Sequence, residues 1–271
     1  MDLKEASLLG PELTDHWYYR SKAAAMMKLL PAPAPAVILD VGAGSGYFSR
    51  YLLRRTTATV AWCIDTGYDS DADTEEAGKA IHYRRSLEDV AEDTERRPLP
   101  PSPQSLSRPG EGLLRHPPLE RVSVDLVLLM DVLEHVDDDV GLLTDCVRKV
   151  PGGARFLVSV PAFRFLWSGH DEFLGHQRRY TLDELQAVVR RAGLRVRQGA
   201  YYFGLVFPLA AAIRLADNWL RRPGGKPAHS QLRRHGRLVN ETLAAICKAE
   251  LPLLSLNRVV GLSAFCVAER P

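Results

Sequence analysis

Alternating glycines that follow an apolar run and an acid are the feature of this sequence most indicative of chemistry. Residues 37–39 are apolar and Asp40 follows them; the alternating glycines are Gly42, Gly44 and Gly46. The pattern predicts a buried strand, a sharp turn and a helix, with bare backbone at the turn that a ligand can approach closely. Because open α/β sheets bind ligands at the carboxyl ends of their strands, we expect a nucleoside-bearing ligand here.

Two ligands compete for this loop. A dinucleotide fingerprint has the spacing G-x-G-x-x-G, and Tyr47 occupies the place of its last glycine. An acid beside the loop also favours a cationic ligand over a pyrophosphate, because like charges repel in a partly buried site. Asp65 ends the next apolar stretch, residues 59–64, where it could accept two hydrogen bonds from a ribose diol or cap the following turn.

A second group of chemically capable side chains lies in residues 161–181, after a strand predicted over residues 154–160. We predict that His170, His176 and Asp171 are catalytic, since a neutral imidazole can take a proton and a carboxylate can orient the ring. Hydrogen bonding of the two histidines to the loop backbone is the alternative. The segment follows the carboxyl end of a strand, so we expect it beside the ligand crevice.

Aromatic and cationic side chains are expected to contact an acceptor molecule. The residues in this group are Trp17, Tyr19, Trp167, Arg178, Arg179 and Tyr180. The N-terminal aromatics have the alternative of packing their helix onto the sheet. The two arginines could clamp a carboxylate or phosphate, or point into water.

Two further motifs complete the pattern. A strand over residues 124–130 runs into the sequence D-V-L-E-H-V at 131–136, and P-G-G at 151–153 precedes the next strand. Together with the D-x-G-x-G-x-G loop and Asp65, they resemble the motifs of class I methyltransferases that use S-adenosylmethionine. Residues 161–181 resemble a bacterial subgroup that carries W-S-x-H-D-x-x-x-G-H-x-R-R-Y-T at this place. The resemblance covers roughly residues 10–205.

The resemblance implies one α/β domain with a Rossmann-like sheet of seven mostly parallel strands. Its last strand is antiparallel and inserted beside strand six, and a helical insertion lies between strands six and seven. The implied parts are an N-terminal helical lid and linker (1–35), the core (36–202), a mobile Pro-rich insertion (96–118), a substrate-side helical insertion (203–258) and the last strand (259–271).

S-adenosylmethionine is the cofactor that the resemblance implies. Its amino-acid end is assigned to Asp40, Gly42, Gly44 and Gly46, its ribose to Asp65, its adenine to Ser86 and Leu87, and the floor of its site to Asp131 and Val132. The family often has an aspartate at the position of Ser86. His135 is expected to pack near the cofactor rather than to act as a base.

Composition restricts the partners. With 35 Lys and Arg against 33 Asp and Glu, the formal charge is only +2. The sequence D-V-L-E also stands where some nucleic-acid methyltransferases have N-P-P-Y. We therefore expect no nucleic-acid partner. The four cysteines show no C-x-x-C spacing, and we expect neither a disulfide framework nor a metal site. No signal peptide is evident, which favours a cytoplasmic protein.

Residues 203–222 contain an apolar run that is divided by Pro208 and is shorter than the ~20 residues that span a bilayer. Basic residues flank it, so it is either an interfacial helix with peripheral membrane contact or a cover over a lipid-like substrate. A buried helix or a dimer contact is the alternative, and the chain is expected to be a monomer or homodimer.

The expected reaction is methylation of an oxygen, nitrogen or carbon atom of a small-molecule or lipid-linked acceptor. Two alternatives stay open: a non-methylating reaction of S-adenosylmethionine, such as cyclisation, and a non-catalytic binding scaffold. The fold does not choose between them, because this architecture hosts many chemistries.

Overall fold

The computed structural model describes residues 3–30, 32–88, 124–220 and 235–271, and one eight-stranded sheet runs through them. The strands are β1 Val37–Val41, β2 Val60–Ile64, β3 Ala72–Glu76, β4 Lys79–Arg84, β5 Leu126–Met130, β6 Arg155–Pro161, β7 Arg195–Tyr202 and β8 Ser263–Glu269. Their order across the sheet is β3-β4-β2-β1-β5-β6-β8-β7. Strands β4, β2, β1, β5 and β6 are parallel, β3 is antiparallel to β4, and β8 is antiparallel to both β6 and β7.

The Rossmann-like arrangement is confirmed, including the antiparallel last strand inserted beside the one before it. The sheet has eight strands rather than seven, because β3 forms a hairpin with β4. Its turn consists of Ala77 and Gly78, whose positive φ angles of 54° and 73° match the right-handed twist of a hairpin. Strand β3 is almost entirely exposed and polar, so it lacks the apolar signal from which strands are predicted.

Helices cover both faces of the sheet. The described helices are α1 Leu3–Leu9, α2 Trp17–Leu29, α3 Tyr47–Arg55, α4 Asp139–Lys149, α5 Gly169–Leu174, α6 Leu182–Arg191, α7 Phe207–Leu220 and α8 Arg237–Glu250. Short 3-10 helices span Gly10–Asp15, Leu133–His135, Arg164–Leu166 and Leu251–Leu256. Strand β1 shows how the layers form: Val37, Leu39 and Val41 pack with side chains of α4 and α6, whereas Ile38 packs with those of α2 and α3. Burial on both faces explains why the parallel strands are continuous apolar runs.

The ligand crevice follows from the strand order. Strand β1 lies between β2, the next strand along the chain, and β5, which comes much later, so the winding of the sheet reverses between β1 and β5. Ligands of open α/β sheets bind beyond the carboxyl ends of the strands at such a point. The glycine loop follows β1 and Asp131 follows β5, so both lie at this edge.

The helical insertion differs from its sequence-based description. Pro208 lies in the first turn of α7, where proline is tolerated, so it begins this helix rather than dividing it. Helix α7 is not a buried helix, since Leu209 and Ile213 are 62% and 57% exposed. Among the described residues, no helix is both long and apolar enough to cross a membrane. The predicted insertion at 96–118 lies outside the described residues.

Candidate active site

The glycine loop presses directly against its neighbours. Gly42, Gly44 and Gly46 all have positive φ, between 54° and 71°, a region that side chains disfavour. The amide of Gly42 donates to the carbonyl of Ile64 at 2.7 Å, and a Cβ on Gly42 would lie 2.6 Å from Cγ2 of Val132. The loop is therefore bare backbone wedged between the ends of β2 and β5.

Asp40 lies beneath this loop and is 1% exposed. The hydroxyl of Ser49 on α3 donates to its Oδ2 at 2.7 Å. Burial is the main influence on the Asp40 carboxyl and raises its pKa to about 6, while the Ser49 hydrogen bond acts in the opposite direction. A cationic group beside Asp40 would reverse the effect of burial, because an opposite charge favours the ionised carboxylate.

Asp65, at the end of β2, binds the glycine loop itself. Its Oδ2 accepts from the Gly44 amide at 2.8 Å, and its Oδ1 accepts from the Gly67 amide at 2.9 Å. Tyr68 adds a hydrogen bond from its hydroxyl to the Gly44 carbonyl at 2.6 Å. Each carboxylate oxygen can accept two hydrogen bonds, so Asp65 retains acceptor capacity for a ligand.

The remaining predicted cofactor contacts lie around the same loop. Ser86 and Leu87 follow β4, next to β2, and both are half-buried. Val132 packs against Gly42, as described above, and the preceding Asp131 is held in a left-handed conformation with φ of 58°. All the residues assigned to the cofactor thus lie near the carboxyl ends of β1, β2, β4 and β5. Their individual contacts with the cofactor stay predictions.

Asp131, which is half-buried, forms an ion pair with a fully buried lysine that the sequence analysis missed. Lys22 on α2 is fully buried, and its Nζ donates to Oδ2 of Asp131 and, at 3.1 Å, to the hydroxyl of Tyr18. Although burial alone would raise the pKa of Asp131, the Lys22 ammonium lowers it below its usual range. The N-terminal helix is therefore fastened to the end of β5, between the glycine loop and the space described next.

A cavity of about 590 Å³ opens beside Asp131. Its walls come from α1, α2, the ends of β5 and β6, the α5 region, α7 and α8. Its apolar lining includes Trp17, Tyr19, Leu174, Val206, Leu209, Ile213 and Leu243, and its polar lining includes Glu5, Glu134, His135, His170, His176, Arg179 and Arg214. The cavity therefore combines a largely apolar wall with polar side chains that include four histidines, His235 being the fourth.

Asp171 is buried beneath the cavity wall and binds two of the predicted residues. Arg179 donates from Nε to Oδ1 at 2.7 Å and from Nη2 to Oδ2 at 3.1 Å, while His176 Nδ1 lies 2.9 Å from Oδ1. Burial opposes ionisation of Asp171, but the hydrogen bond with His176 and the charge of Arg179 hold its pKa well below the usual range. Asp171 thus orients the His176 ring, and the guanidinium of Arg179 holds Asp171.

His170 has a different environment. Its Nε2 lies 3.5 Å from Oε1 of Glu5, and Tyr19 donates from its hydroxyl to the other Glu5 oxygen. Burial, and then the nearby charge of Arg214, lower the pKa of His170 to about 3. His170 is therefore neutral at physiological pH and a weak proton acceptor.

Three residues assigned to the acceptor do not line the cavity. They are Trp167, Arg178 and Tyr180. Arg178 lies 3.3 Å from Oδ2 of Asp139, and the buried Tyr180 hydroxyl donates to the same oxygen at 2.8 Å. Both side chains fasten the segment after α5 to the start of α4, whereas Trp17, Tyr19 and Arg179 do line the cavity.

Glu134 is the buried acid that the sequence analysis did not single out as functional. Its side chain is fully buried, and neither carboxylate oxygen has a hydrogen-bond partner among the described residues. Burial, reinforced by the charge of Asp131, raises the pKa of Glu134 well above its ordinary value. The only sequence signal is its place in D-V-L-E-H-V directly after a strand.

Comparisons with known proteins agree with this geometry. A family model described as a methyltransferase domain matches residues 14–198. A relative from Mycolicibacterium smegmatis, named "Probable S-adenosylmethionine-dependent methyltransferase", is 34% identical over 87 residues, which are 31% of this chain and 34% of that protein. The ubiquinone biosynthesis O-methyltransferase of Pseudomonas paraeruginosa is 29% identical over 204 residues, 68% of this chain and 75% of the relative.

The fold also has solved neighbours. A chain from the complex between the Haloferax volcanii Trm112 methyltransferase activator and a methyltransferase aligns with a TM-score of 0.50, covering 96% of this chain and 92% of its own length. The sequence identity in this alignment is 15%, so the likeness concerns the fold alone.

Proposed function

This chain belongs to the class I S-adenosylmethionine-dependent methyltransferases, and we propose that it methylates a hydroxyl oxygen of a small, largely apolar acceptor. The observation that carries the proposal is the cavity of about 590 Å³, which begins at Asp131 beside the glycine loop. Its size falls within the range of pockets that bind small molecules. An acceptor in it would lie next to the cofactor that the loop holds.

The residues around the loop fit S-adenosylmethionine. A Cβ on Gly42 would fill the space against Val132, so the loop offers backbone where a side chain would exclude a ligand. Asp40 is a buried acid whose ionised form a cationic group would stabilise, and Asp65 has acceptor capacity for ribose hydroxyls. When bound, the cofactor supplies an electrophilic methyl group on a sulfonium sulfur.

Three observations support an apolar acceptor with a reactive oxygen. The side chains of Trp17, Leu209 and Ile213 line the cavity, and the two from α7 are also exposed at its edge. Trp219, near the end of α7, is 85% exposed, which supports a lipid-like acceptor or a membrane surface as the source of the acceptor. The relative at 29% identity is named as an O-methyltransferase, which supports oxygen as the acceptor atom.

An oxygen acceptor must also lose its proton as the new carbon–oxygen bond forms. The cavity provides polar side chains for this step at the end that contains Glu134, His135 and His176. Of the two histidines predicted to be catalytic, His176 is the better placed, because its Nδ1 is held by Asp171 and the ring faces the cavity. His170 is disfavoured as a base, since its lowered pKa of about 3 makes it a weak proton acceptor.

A paired substitution on α7 tests the acceptor site. Ile213→Glu introduces a charge on the cavity wall, whereas Leu215→Glu introduces the same charge at a comparably exposed position outside it. We expect Ile213→Glu to raise the KM for apolar hydroxylated aromatics at least about tenfold, the effect of ~1.4 kcal/mol, with Leu215→Glu close to wild type. Titration with S-adenosylhomocysteine should give the same affinity in both variants. Equal KM values in the two variants would contradict the assigned acceptor site.

Product masses decide between methylation and its alternatives. The acceptor should gain one methyl group, with one S-adenosylhomocysteine released per product. An acceptor that is altered without gaining a methyl group would favour the non-methylating reaction. Cofactor binding with no turnover of any hydroxylated acceptor would favour the binding scaffold.

A further inference from the structure

Glu134, His135 and His176 bring three metal-ligating side chains together at the polar end of the cavity. One ligand atom of each residue lies within 4.8 Å of the ligand atoms of the other two. A tetrahedral ion with bonds of about 2.1 Å holds its ligands about 3.4 Å apart, so shifts of at most about 0.8 Å per side chain would close the site. The spacing therefore suits a divalent cation.

The carboxylate of Glu134 supplies an independent observation. The side chain is fully buried, both oxygens lack a hydrogen-bond partner among the described residues, and the residue lines the cavity. The nearby ammonium of Lys22 makes its ion pair with Asp131 instead. A buried carboxylate without a hydrogen bond or counterion is strongly unfavourable, so the site requires a compensating cation or proton.

Two hydrogen bonds of Gln177 fix the relative positions of the segments that carry the three side chains. The amide of Gln177 donates to the Glu134 carbonyl at 2.7 Å, and its side chain donates to the His135 carbonyl at 3.1 Å. These two bonds fasten the segment with His176 to the 3-10 helix with Glu134 and His135. The two imidazole rings consequently lie at right angles with their centroids 4.7 Å apart.

His176 also has the outer partner typical of a metal-bound histidine. Its Nδ1 lies 2.9 Å from Oδ1 of Asp171, which leaves Nε2 to act as a ligand. Asp171 is itself held by the two hydrogen bonds from Arg179. A carboxylate behind the imidazole fixes the tautomer and increases the basicity of the ligating nitrogen.

We propose that Glu134, His135 and His176 bind one divalent transition-metal ion, and that its open coordination position takes the acceptor hydroxyl. Two imidazoles and one carboxylate favour ions such as Zn²⁺, Mn²⁺ or Co²⁺ over Mg²⁺, which prefers oxygen ligands. The second part of the proposal rests on the proposed O-methylation, whereas metal binding itself does not. The proposal departs from the expectation of no metal site, which considered only the spacing of the cysteines.

The bound metal ion would activate the acceptor hydroxyl at the polar end of the cavity. The coordinated hydroxyl loses its proton to solvent more readily, since a bound cation stabilises the oxyanion. A lone pair of that oxygen then forms the bond to the methyl carbon, and the electron pair of the broken carbon–sulfur bond stays on sulfur, leaving a neutral thioether. With the ion bound, His176 serves as a ligand, and solvent takes the proton that its imidazole would accept in the metal-free site.

Titration of metal-stripped protein with Mn²⁺, and separately with Co²⁺, tests the site without acceptor or cofactor. We expect one ion per chain, and a visible Co²⁺ spectrum that indicates nitrogen ligands. Glu134→Gln and His176→Gln should weaken binding by at least the about 10- to 100-fold typical of damage to the outer shell of a metal site. The matched controls, Glu172→Gln on exposed α5 surface and His82→Gln near the sheet edge, should bind like wild type.

The outcomes separate this proposal from the proposed function. Absence of metal binding by a folded chain that still binds S-adenosylhomocysteine would overturn the metal site and leave methylation standing. Metal binding that is equal in wild type and Glu134→Gln would place the ion elsewhere and overturn the assignment. If the stripped enzyme methylates a hydroxylated acceptor as fast as the Mn²⁺-loaded enzyme, the ion has no part in the reaction.

Discussion

Replacing Asp40 with asparagine should make the protein more stable and its cofactor site weaker. The carboxyl is almost fully buried, and the Ser49 hydroxyl that donates to it can donate equally to the amide oxygen of asparagine. The substitution therefore removes the charge and keeps the shape. It isolates the free energy by which an ionised carboxylate buried under the glycine loop destabilises the unliganded fold.

The magnitude follows from the pKa of Asp40, which burial raises from 3.8 to about 6. At about 1.4 kcal/mol per pH unit, this difference corresponds to about 3 kcal/mol. Between these two values the folded state binds more protons than the unfolded state, so the free energy of unfolding falls as the pH rises. Asp40→Asn should match wild type near pH 4 and exceed it by up to about 3 kcal/mol above pH 6. Urea denaturation at pH 4, 5, 6 and 7 measures this difference.

The substitution should change cofactor affinity in the opposite direction: it stabilises the unliganded protein but weakens cofactor binding. If Asp40 receives the ammonium of the cofactor, only its ionised form binds well, so the affinity for S-adenosylhomocysteine should fall in wild type below pH 6. Calorimetry near pH 6 in buffers of different ionisation enthalpy should show proton release on binding. Asp40→Asn should bind more weakly at pH 7 and show neither effect. Equal stability and equal affinity of the two proteins at pH 7 would refute the reasoning.

Two further substitutions test the contacts that support the site. Lys22→Met leaves Asp131 without its buried counterion and should lower the free energy of unfolding in urea by about 3–5 kcal/mol, most of which Lys22→Met/Asp131→Asn should recover. A double variant as unstable as the single one would contradict this account. Gly42→Ala combines a φ of 68° with a Cβ placed 2.6 Å from Val132. It should lower the free energy of unfolding in urea by about 1–3 kcal/mol. Adding Val132→Ala relieves only the clash, so full recovery would show that backbone strain at Gly42 is negligible.

The predictable part of the structure is the part encoded by local patterns. Three short stretches lie where predicted: the apolar run before Asp40, the alternating glycines, and the strand before Asp131. Together they form the ligand crevice at the carboxyl ends of the parallel strands. The ion pair of Lys22 with Asp131 joins residues 109 positions apart, and helical periodicity gives no sign of it. Strand β3 was missed for the converse reason, since an exposed polar edge strand carries no apolar pattern.

The same limit applies to the histidine-rich segment. Its residue types suggested direct contact with an acceptor, but two of them form structural bonds to one acid: Arg178 and Tyr180 both reach Asp139. Residue type alone could not distinguish a side chain that faces the cavity from one that fastens the wall. Likewise, Glu134 and His135 lie some forty residues before His176 in the sequence, so only the fold brings the three together.

The chain of contacts from Arg179 through Asp171 to His176 argues that this segment positions a ring. A buried ion pair gives little net stability, because the desolvation of both charges offsets their attraction, and apolar side chains of similar volume would pack as well. What apolar side chains could not do is hold one imidazole nitrogen at 2.9 Å from a carboxylate and direct the other into the cavity. His170, six residues earlier, lies with its Nε2 3.5 Å from Oε1 of Glu5, and its pKa, lowered to about 3 by burial, makes it a weak proton acceptor. The geometry therefore points to His176, rather than His170, as the histidine on which the chemistry depends.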